Sequence, residues 1–203
     1  MLGSVFIFFK NNNKNKIIHN SLIFSSIVIL YVSLFDLIPS SYSYFSYYYS
    51  CDFILLIMTL NILFGFILVK ELSILIKTDN HLYRIGLISM IVIIIHNIPE
   101  GIITYIATNK DIDLGLHLAL SIALHNIPEG ITISIPIYHS TKSKKKALLY
   151  TFFSAIQEPI GALFSHLLLP QINNYIFSII LSLTAGIMIY LSIFEIFKES
   201  RRI

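Results

Sequence analysis

Six runs of apolar residues, at about 21–39, 53–69, 85–106, 114–137, 147–169 and 175–197, each approach the roughly 20 residues that a helix needs to cross a bilayer. In lipid every backbone N–H and C=O must find its partner inside the protein, and a run of this length does so as a helix. The predicted fold class is therefore all-α, a polytopic transmembrane helical bundle with six full spans, read as one domain over residues 1–203. Its 56% hydrophobic content exceeds the roughly 45–50% of soluble domains. A seventh apolar run, Met1 to Phe9, would rise only about 13 Å as a helix, so it reads as the stub of a helix or a short peripheral piece. No basic residue precedes it and no A-x-A site follows, which disfavours a signal peptide. The lone Cys51 has no internal disulfide partner.

The loops give an orientation without any motif. If the first run counts as a crossing, alternate loops carry Lys10, Lys14 and Lys16, then Lys70, Lys77 and Arg84, then Lys142, Lys144, Lys145 and Lys146, then Lys198, Arg201 and Arg202. Thirteen of the 14 basic residues thus fall on one side, with Lys110 alone on the other. The positive-inside rule makes the basic side cytoplasmic, with cytoplasmic loops predicted at about 10–20, 70–84 and 138–146. The net charge of +3 is a signal of topology, and nucleic acid is not an expected partner. The bilayer is, whether of the plasma membrane or of an organelle. Tyr42 to Tyr49 reads as an interfacial aromatic belt.

Two copies of one hexapeptide, HNIPEG, occupy residues 96–101 and 125–130 in consecutive apolar runs. The midpoints of the third, fourth and fifth runs fall within about one residue of His96, His125 and Glu158. Three successive helices thus bring ligand-type side chains to one depth. Within each motif His and Glu stand four apart, on one helix face with Cβ atoms about 5–6 Å from each other, a spacing that chelates one ion. Asn97 and Asn126 project about 100° further round, where they could reach a second ion, with the glutamates between the two positions as bridges. Pro99 and Pro128 each block the helical bond to the carbonyl four residues earlier, at Ile95 and Leu124. Kinks are expected there, lining a polar pocket, and Gly101 and Gly130 add places to bend or pack closely.

Insertion scales price a central acidic residue at about 2.5–3.5 kcal/mol, so Glu100, Glu129 and Glu158 together cost on the order of 8–10 kcal/mol if left alone. No Lys or Arg stands at a segment centre to neutralise them. A bound cation would, and imidazole with carboxylate suits zinc and other first-row divalent ions. One such motif is easily a packing kink; two identical copies and a Glu-Pro on the next helix favour metal. The remaining polar residues have blander readings. His117, His166 and Asn61 are expected to hydrogen-bond within the bundle, and His19, His81 and His139 to be solvated in loops. Asp36 and Glu195, near opposite membrane faces, suit anchoring and gating equally. Gly161 with Ser165, and Ser182 with Gly186, read as helix-packing seams.

HNIPEG at 96–101 and 125–130, QEPIGAL at 157–163 and AGIMIYLSIFE at 185–195 resemble helices four to seven of the ZIP (Zrt/Irt-like) divalent metal transporters, most nearly the ZupT-like branch. Residues 26–39, SIVILYVSLFDLIP, resemble its second helix, with Asp36 where relatives usually have Glu. The resemblance implies a binuclear mid-membrane metal site. One ion would lie between His96, Glu100, His125 and Glu129, and a second would use Asn97, Asn126 and Glu158 with the same glutamates as bridges. It also implies transport toward the cytoplasm, an elevator-like shift of the metal-binding helices, and a homodimer as a common assembly. Against the family pattern of eight helices, the expectation is truncation at both ends: a stub for the first and no eighth after Ile203. The loop from Lys70 to Arg84 carries only His81, where many relatives have a His-rich sensor.

The function expected is transport of divalent transition-metal ions, chiefly zinc, with Fe2+, Mn2+ or Co2+ as further candidates. No enzyme activity and no resident cofactor are expected, and without a GxxxxGK[ST] loop ATP drive is disfavoured. Two alternatives differ in what they predict. An intramembrane zinc hydrolase would cleave a substrate without moving metal, but HExxH is absent. A transport-inactive metal-binding subunit would bind without flux.

Overall fold

The helices outrun the apolar stretches that announce them. The computed structural model describes residues 1–8, 13–168 and 173–203. A 3-10 helix (Leu2–Phe8) precedes α1 (Lys14–Val32), a π-helical turn (Ser33–Leu37) and α2 (Ile38–Phe45). Then come α3 (Cys51–Leu75), α4 (His81–Lys110), α5 (Ile112–Thr141), α6 (Lys144–Ala155) and α7 (Gln157–Leu168). The chain closes with α8 (Asn174–Tyr190), a second π turn (Leu191–Phe197) and α9 (Lys198–Ser200). Among the described residues six helical stretches are long and apolar enough to span a membrane: Lys14–Phe45, Cys51–Leu75, His81–Asn109, Gly115–Thr141, Lys144–Leu167 and Asn174–Ser200. Six full spans and an all-α polytopic bundle are what the apolar runs predict.

The loops are shorter than expected. The segment predicted at 138–146 shrinks to the turn between Thr141 and Lys144, where Lys142 takes φ 57° and the Ser143 side chain accepts the Lys146 N–H. The segment at 70–84 shrinks to the stretch between Leu75 and His81. Hydropathy marks where lipid begins and ends; helical hydrogen bonding continues past that boundary wherever Lys, Glu and Ser can reach water. Residues 9–12, the last residue of the first apolar run and the start of the first predicted loop, lie outside the described residues. His19, expected in a loop, sits on α1, and its Nδ1–H donates to the Ser200 carbonyl at 2.6 Å. His139 is helical too, half-buried against Tyr138, and His81 opens α4 rather than lying in a loop, though it is exposed as expected.

The N-terminal run, expected as the stub of a helix or a short peripheral piece, is a short helix with one side packed on the bundle. Its 3-10 helix buries Ser4 and Ile7 and docks on α5, where Gly3 meets Gly130 backbone to backbone. α8 runs through the middle of the bundle with most of its residues buried, while α3 turns Leu56, Leu60, Phe64 and Ile67 outward as a lipid-facing surface should. The largest apolar cluster, including Ile29, Val92, Ile93, Ile133, Met188 and Leu191, fills the half of the bundle nearer the lysine-rich face. Part of the predicted tyrosine belt is packing instead: Tyr48 and Tyr49 meet Tyr175 edge-on, and Tyr44 meets Phe177.

Glycine settles two of the closest helix pairs. A Cβ on Gly101 would overlap the Glu158 carbonyl, and one on Gly161 would overlap the Ile98 carbonyl, so α4 and α7 touch main chain to main chain. Gly65 and Gly186 do the same for α3 and α8 against Leu183 and Ile62. These are the small-residue seams that let helices approach in lipid. Asn61 reinforces the second seam by donating to Ser182 Oγ at 3.1 Å.

Candidate metal centre

α4 and α5 lie antiparallel and adjacent, so the two HNIPEG copies face each other head to tail. Each histidine meets the glutamate of the other copy. His125 Nε2 lies 2.5 Å from Glu100 Oε1, and His96 Nε2 lies 3.3 Å from Glu129 Oε1. Within the first copy, His96 Nε2 is also 3.0 Å from Glu100 Oε1. Glu100 Oε1 therefore stands between two imidazoles whose ring centres are 6.4 Å apart. All four side chains are buried, His96 to 1% and Glu100 and Glu129 each to 3% exposure.

The spacing fits a metal ion. One donor atom from each of His96, Glu100 and His125 falls within 4.8 Å of the other two. Ligands held tetrahedrally at about 2.1 Å from zinc stand about 3.4 Å from one another, so small side-chain rotations bring these donors onto one ion. No Lys or Arg is paired with these carboxylates; their ion pairs among the described residues are with His96 and His125.

The two asparagines are oriented rather than merely nearby. Asn97 Nδ2 donates to the Ser154 carbonyl at 2.9 Å, and Asn126 Nδ2 donates to Glu158 Oε2 at 3.0 Å. A carbonyl or carboxylate accepts only from the amide nitrogen, so each Oδ1 is turned the other way. Both Oδ1 atoms are buried without a hydrogen-bond partner, as are Oε2 of Glu100 and Oε2 of Glu129. Each such atom left bare costs about 1–3 kcal/mol, and native structures leave only a few unpaired. A bound cation is one partner that such oxygens accept.

Glu158 arrives by a break in the third helix. α4 and α5 remain α-helical through Pro99 and Pro128, where kinks are expected. The helix between Lys144 and Leu168 instead divides at Ile156, and Glu158 opens the second half. Pro159 explains the place: it lacks an N–H, and the first turn of a helix is where none is required. Asn97 takes up the Ser154 carbonyl beside the break. Glu158 is half-buried and lies within electrostatic reach of Glu100, His125 and Glu129. Of the seven sequence-predicted residues, the structure thus draws His96, Glu100, His125 and Glu129 into one cluster, pairs Asn126 with Glu158 beside it, and ties Asn97 to the broken helix.

A cavity of about 260 Å³ runs from Glu100 and His125 past Ile103 and Phe177 to the exposed carboxylate of Asp36 and to Ser40. It lies in the half of the bundle away from the lysine-rich face. Asp36, whose sequence position suits anchoring and gating equally, lies in the first π turn and lines this mouth. On the opposite side of the cluster the space between His96, Glu129, Ile29 and Met188 is about 10 Å³, barely one water. The other polar residues read as structural. His166 Nδ1 bonds to the Tyr105 hydroxyl at 2.5 Å, and His117 Nδ1–H donates to its own helix at Asp113 at 2.7 Å.

Residues 76–201 match the family described as ZIP Zinc transporter. The chain is similar to the zinc transporter ZupT of Streptococcus mutans, with 35% identity over 212 residues covering 96% of this chain and 80% of the relative. It is likewise similar to that of Chlorobium luteolum, 31% identical over 98% of this chain and 82% of the relative. With the ZupT of Clostridium perfringens the identity is 45%, over 61% of this chain and 44% of the relative.

Proposed function

The chain belongs to the ZIP zinc transporter family, and from that premise we propose that it carries divalent transition-metal ions, zinc first, across the membrane through the cluster of His96, Glu100, His125 and Glu129. The observation that carries this reading is the position of the cluster, buried at mid-span, at the floor of a cavity open toward one face and sealed toward the other. A resident structural metal needs no such approach. A transported one does, and from one face at a time.

The site is binuclear in this reading. The second ion is held by Oδ1 of Asn97 and Asn126 and by Glu158, with Glu100 and Glu129 shared between the two. Support comes from the free amide oxygens and the free second carboxylate oxygens. The mixed nitrogen and oxygen donor set admits Fe2+, Mn2+ and Co2+ beside zinc. The open cavity lies opposite the lysine-rich face, and the positive-inside rule makes that face cytoplasmic, so the ion moves inward. Purified chain in vesicles enclosing a zinc-sensitive dye should show saturable zinc entry; entry no faster than through protein-free vesicles overturns the proposal. Chelator-sensitive hydrolysis of lipid or peptide without flux would favour the enzyme instead.

Asp36 supplies a graded test. A carboxylate at the mouth of a low-dielectric cavity raises the local concentration of cations. Asp36→Asn is expected to raise the zinc concentration for half-maximal uptake about threefold, with the maximal rate little changed and the difference shrinking as salt screens the charge. Initial uptake rates over a range of zinc and salt concentrations measure it.

A further inference from the structure

Asp36 and Glu195, the acids near the two ends of the bundle, occupy the same place in a repeated sequence. Tyr31-Val32-Ser33-Leu34-Phe35-Asp36-Leu37 matches Tyr190-Leu191-Ser192-Ile193-Phe194-Glu195-Ile196, with Tyr, Ser and Phe identical and the acid retained. Both copies leave the α-helix for a π turn, over Ser33–Leu37 and Leu191–Phe197. Such turns are rare and frequently mark functional sites. Both bury their serine completely, and in both the Tyr and the Phe four residues on lie together, with ring centres 4.9 and 5.3 Å apart. The two spans run in opposite directions, so the copies sit toward opposite faces, as inverted repeats do.

Their acids are in opposite states. Asp36 is exposed and lines the open cavity. Glu195 is 6% exposed and its Oε2 is bound by Arg84 Nη1 at 2.9 Å. Arg84, in the first turn of α4, also donates from Nη2 to the Ser73 carbonyl at 2.5 Å and from Nε to the Ile76 carbonyl at 3.1 Å. One guanidinium thus fastens the base of a metal-bearing helix to the end of α3 and to the second π turn. A hollow of about 470 Å³ near the lysine-rich face ends on this arginine, lined also by Lys77 and Asp79. Beyond the arginine, toward the metal cluster, lies the apolar layer that includes Val92, Met188 and Leu191.

We propose that Arg84 and Glu195 form the inner gate of the pathway, the closed counterpart of the open mouth at Asp36, and that Glu195 lines the outlet for the divalent cation once Arg84 withdraws. The proposal rests on the transport reading above. In the arrangement described here the guanidinium fills the place at Glu195 that a departing cation takes. When α4 shifts, Arg84 leaves with it, because its Cα belongs to α4 and its acceptors do not. Glu195 then faces the hollow as Asp36 now faces the cavity. Arg84 and Glu195 act by position, as gating residues, and bind no ion in the closed state.

The test reads conformation rather than flux. In a Cys51→Ser background, Ile103→Cys places a single thiol in the open cavity, and a membrane-impermeant thiol reagent added from that side reports how often the cavity is open. Arg84→Gln and Glu195→Gln should each slow labelling about fivefold or more, the lower end of ordinary coupling between sites. The double variant should be no slower than the slower single, since both remove one bond. Arg84→Lys, which keeps the charge and gives up the fork to two carbonyls, should fall between parent and Arg84→Gln. Labelling at the parent rate in Arg84→Gln and Glu195→Gln, or losses that add in the double variant, overturns the gate. Labelling needs no ion movement, so a chain that labels as expected yet carries no zinc refutes the transport reading and leaves the gate standing.

Discussion

Glu100→Ala is expected to reduce zinc entry into vesicles by at least about 100-fold, more than the 10–100-fold typical of losing a residue that only supports a ligand. Glu100 Oε1 stands 3.0 Å from His96 Nε2 and 2.5 Å from His125 Nε2, so its removal takes a partner from both imidazoles at once and leaves His96 only Glu129. Its Oε2 is one of the unpartnered oxygens, so a second donor disappears with the first. Glu158→Gln should do less, about tenfold, because Glu158 is half-buried and joins the cluster through Asn126. The ordering is the discriminating result. Zinc uptake by Glu100→Ala at the parent rate places the site elsewhere, and equal losses in the two variants dissolve the distinction between the first and second ions. Thermal unfolding in detergent separates lost transport from lost fold.

Gly161→Leu should be the most damaging change outside the ligand set. A side chain at this position runs into the main chain of Ile98, and no rotation of a neighbouring side chain relieves that collision. Overpacking of a good interface costs about 1–3 kcal/mol, and here the obstacle is backbone, so a loss of about 3 kcal/mol is expected. α7 must move off α4, carrying Glu158 away from Asn126. Zinc flux should fall about tenfold, while the four-residue cluster on α4 and α5 still binds zinc by equilibrium dialysis. An unchanged unfolding temperature would mean that the two helices do not meet at this glycine. Loss of binding as well as flux would mean that the cluster depends on α7 more than its distances imply.

Much of this arrangement is legible in the chain, for reasons that differ from residue to residue. Apolar runs give the spans because lipid leaves the backbone no other way to satisfy itself. HNIPEG gives the cluster because four-residue spacing puts His and Glu on one helix face whatever the surroundings. What spacing cannot give is the partner across the interface. The cross-copy pairs, His125 with Glu100 and His96 with Glu129, depend on α4 and α5 being antiparallel neighbours in one register. Pro99 and Pro128 stand inside unbroken helix, while Pro159, in the same kind of motif, follows a break. A proline states that one hydrogen bond is missing; tertiary contacts decide whether the helix also divides. Asn97 and the close approach of Gly101 to the Glu158 carbonyl supply those at Ser154 and Glu158, and neither is local in sequence.

The π turns were hidden for another reason. They change neither composition nor apolar period enough to register in a window of twenty residues. Only the near-identity of YVSLFDL and YLSIFEI, 159 positions apart, marks them.

The glycine seams sort the helices by how freely they can slip. Where main chain touches main chain, as between α4 and α7 and between α3 and α8, a shift of even a fraction of a turn drives carbonyl oxygens into one another. Val92, Met188 and Leu191 instead share one apolar cluster between α4 and the last span, where flexible side chains give way by changing rotamer and methionine is the most accommodating of all. Two seams are thus stiff and the layer between α4 and the last span is compliant. Arg84 ties the lysine-rich end of that layer by joining α4 to the second π turn.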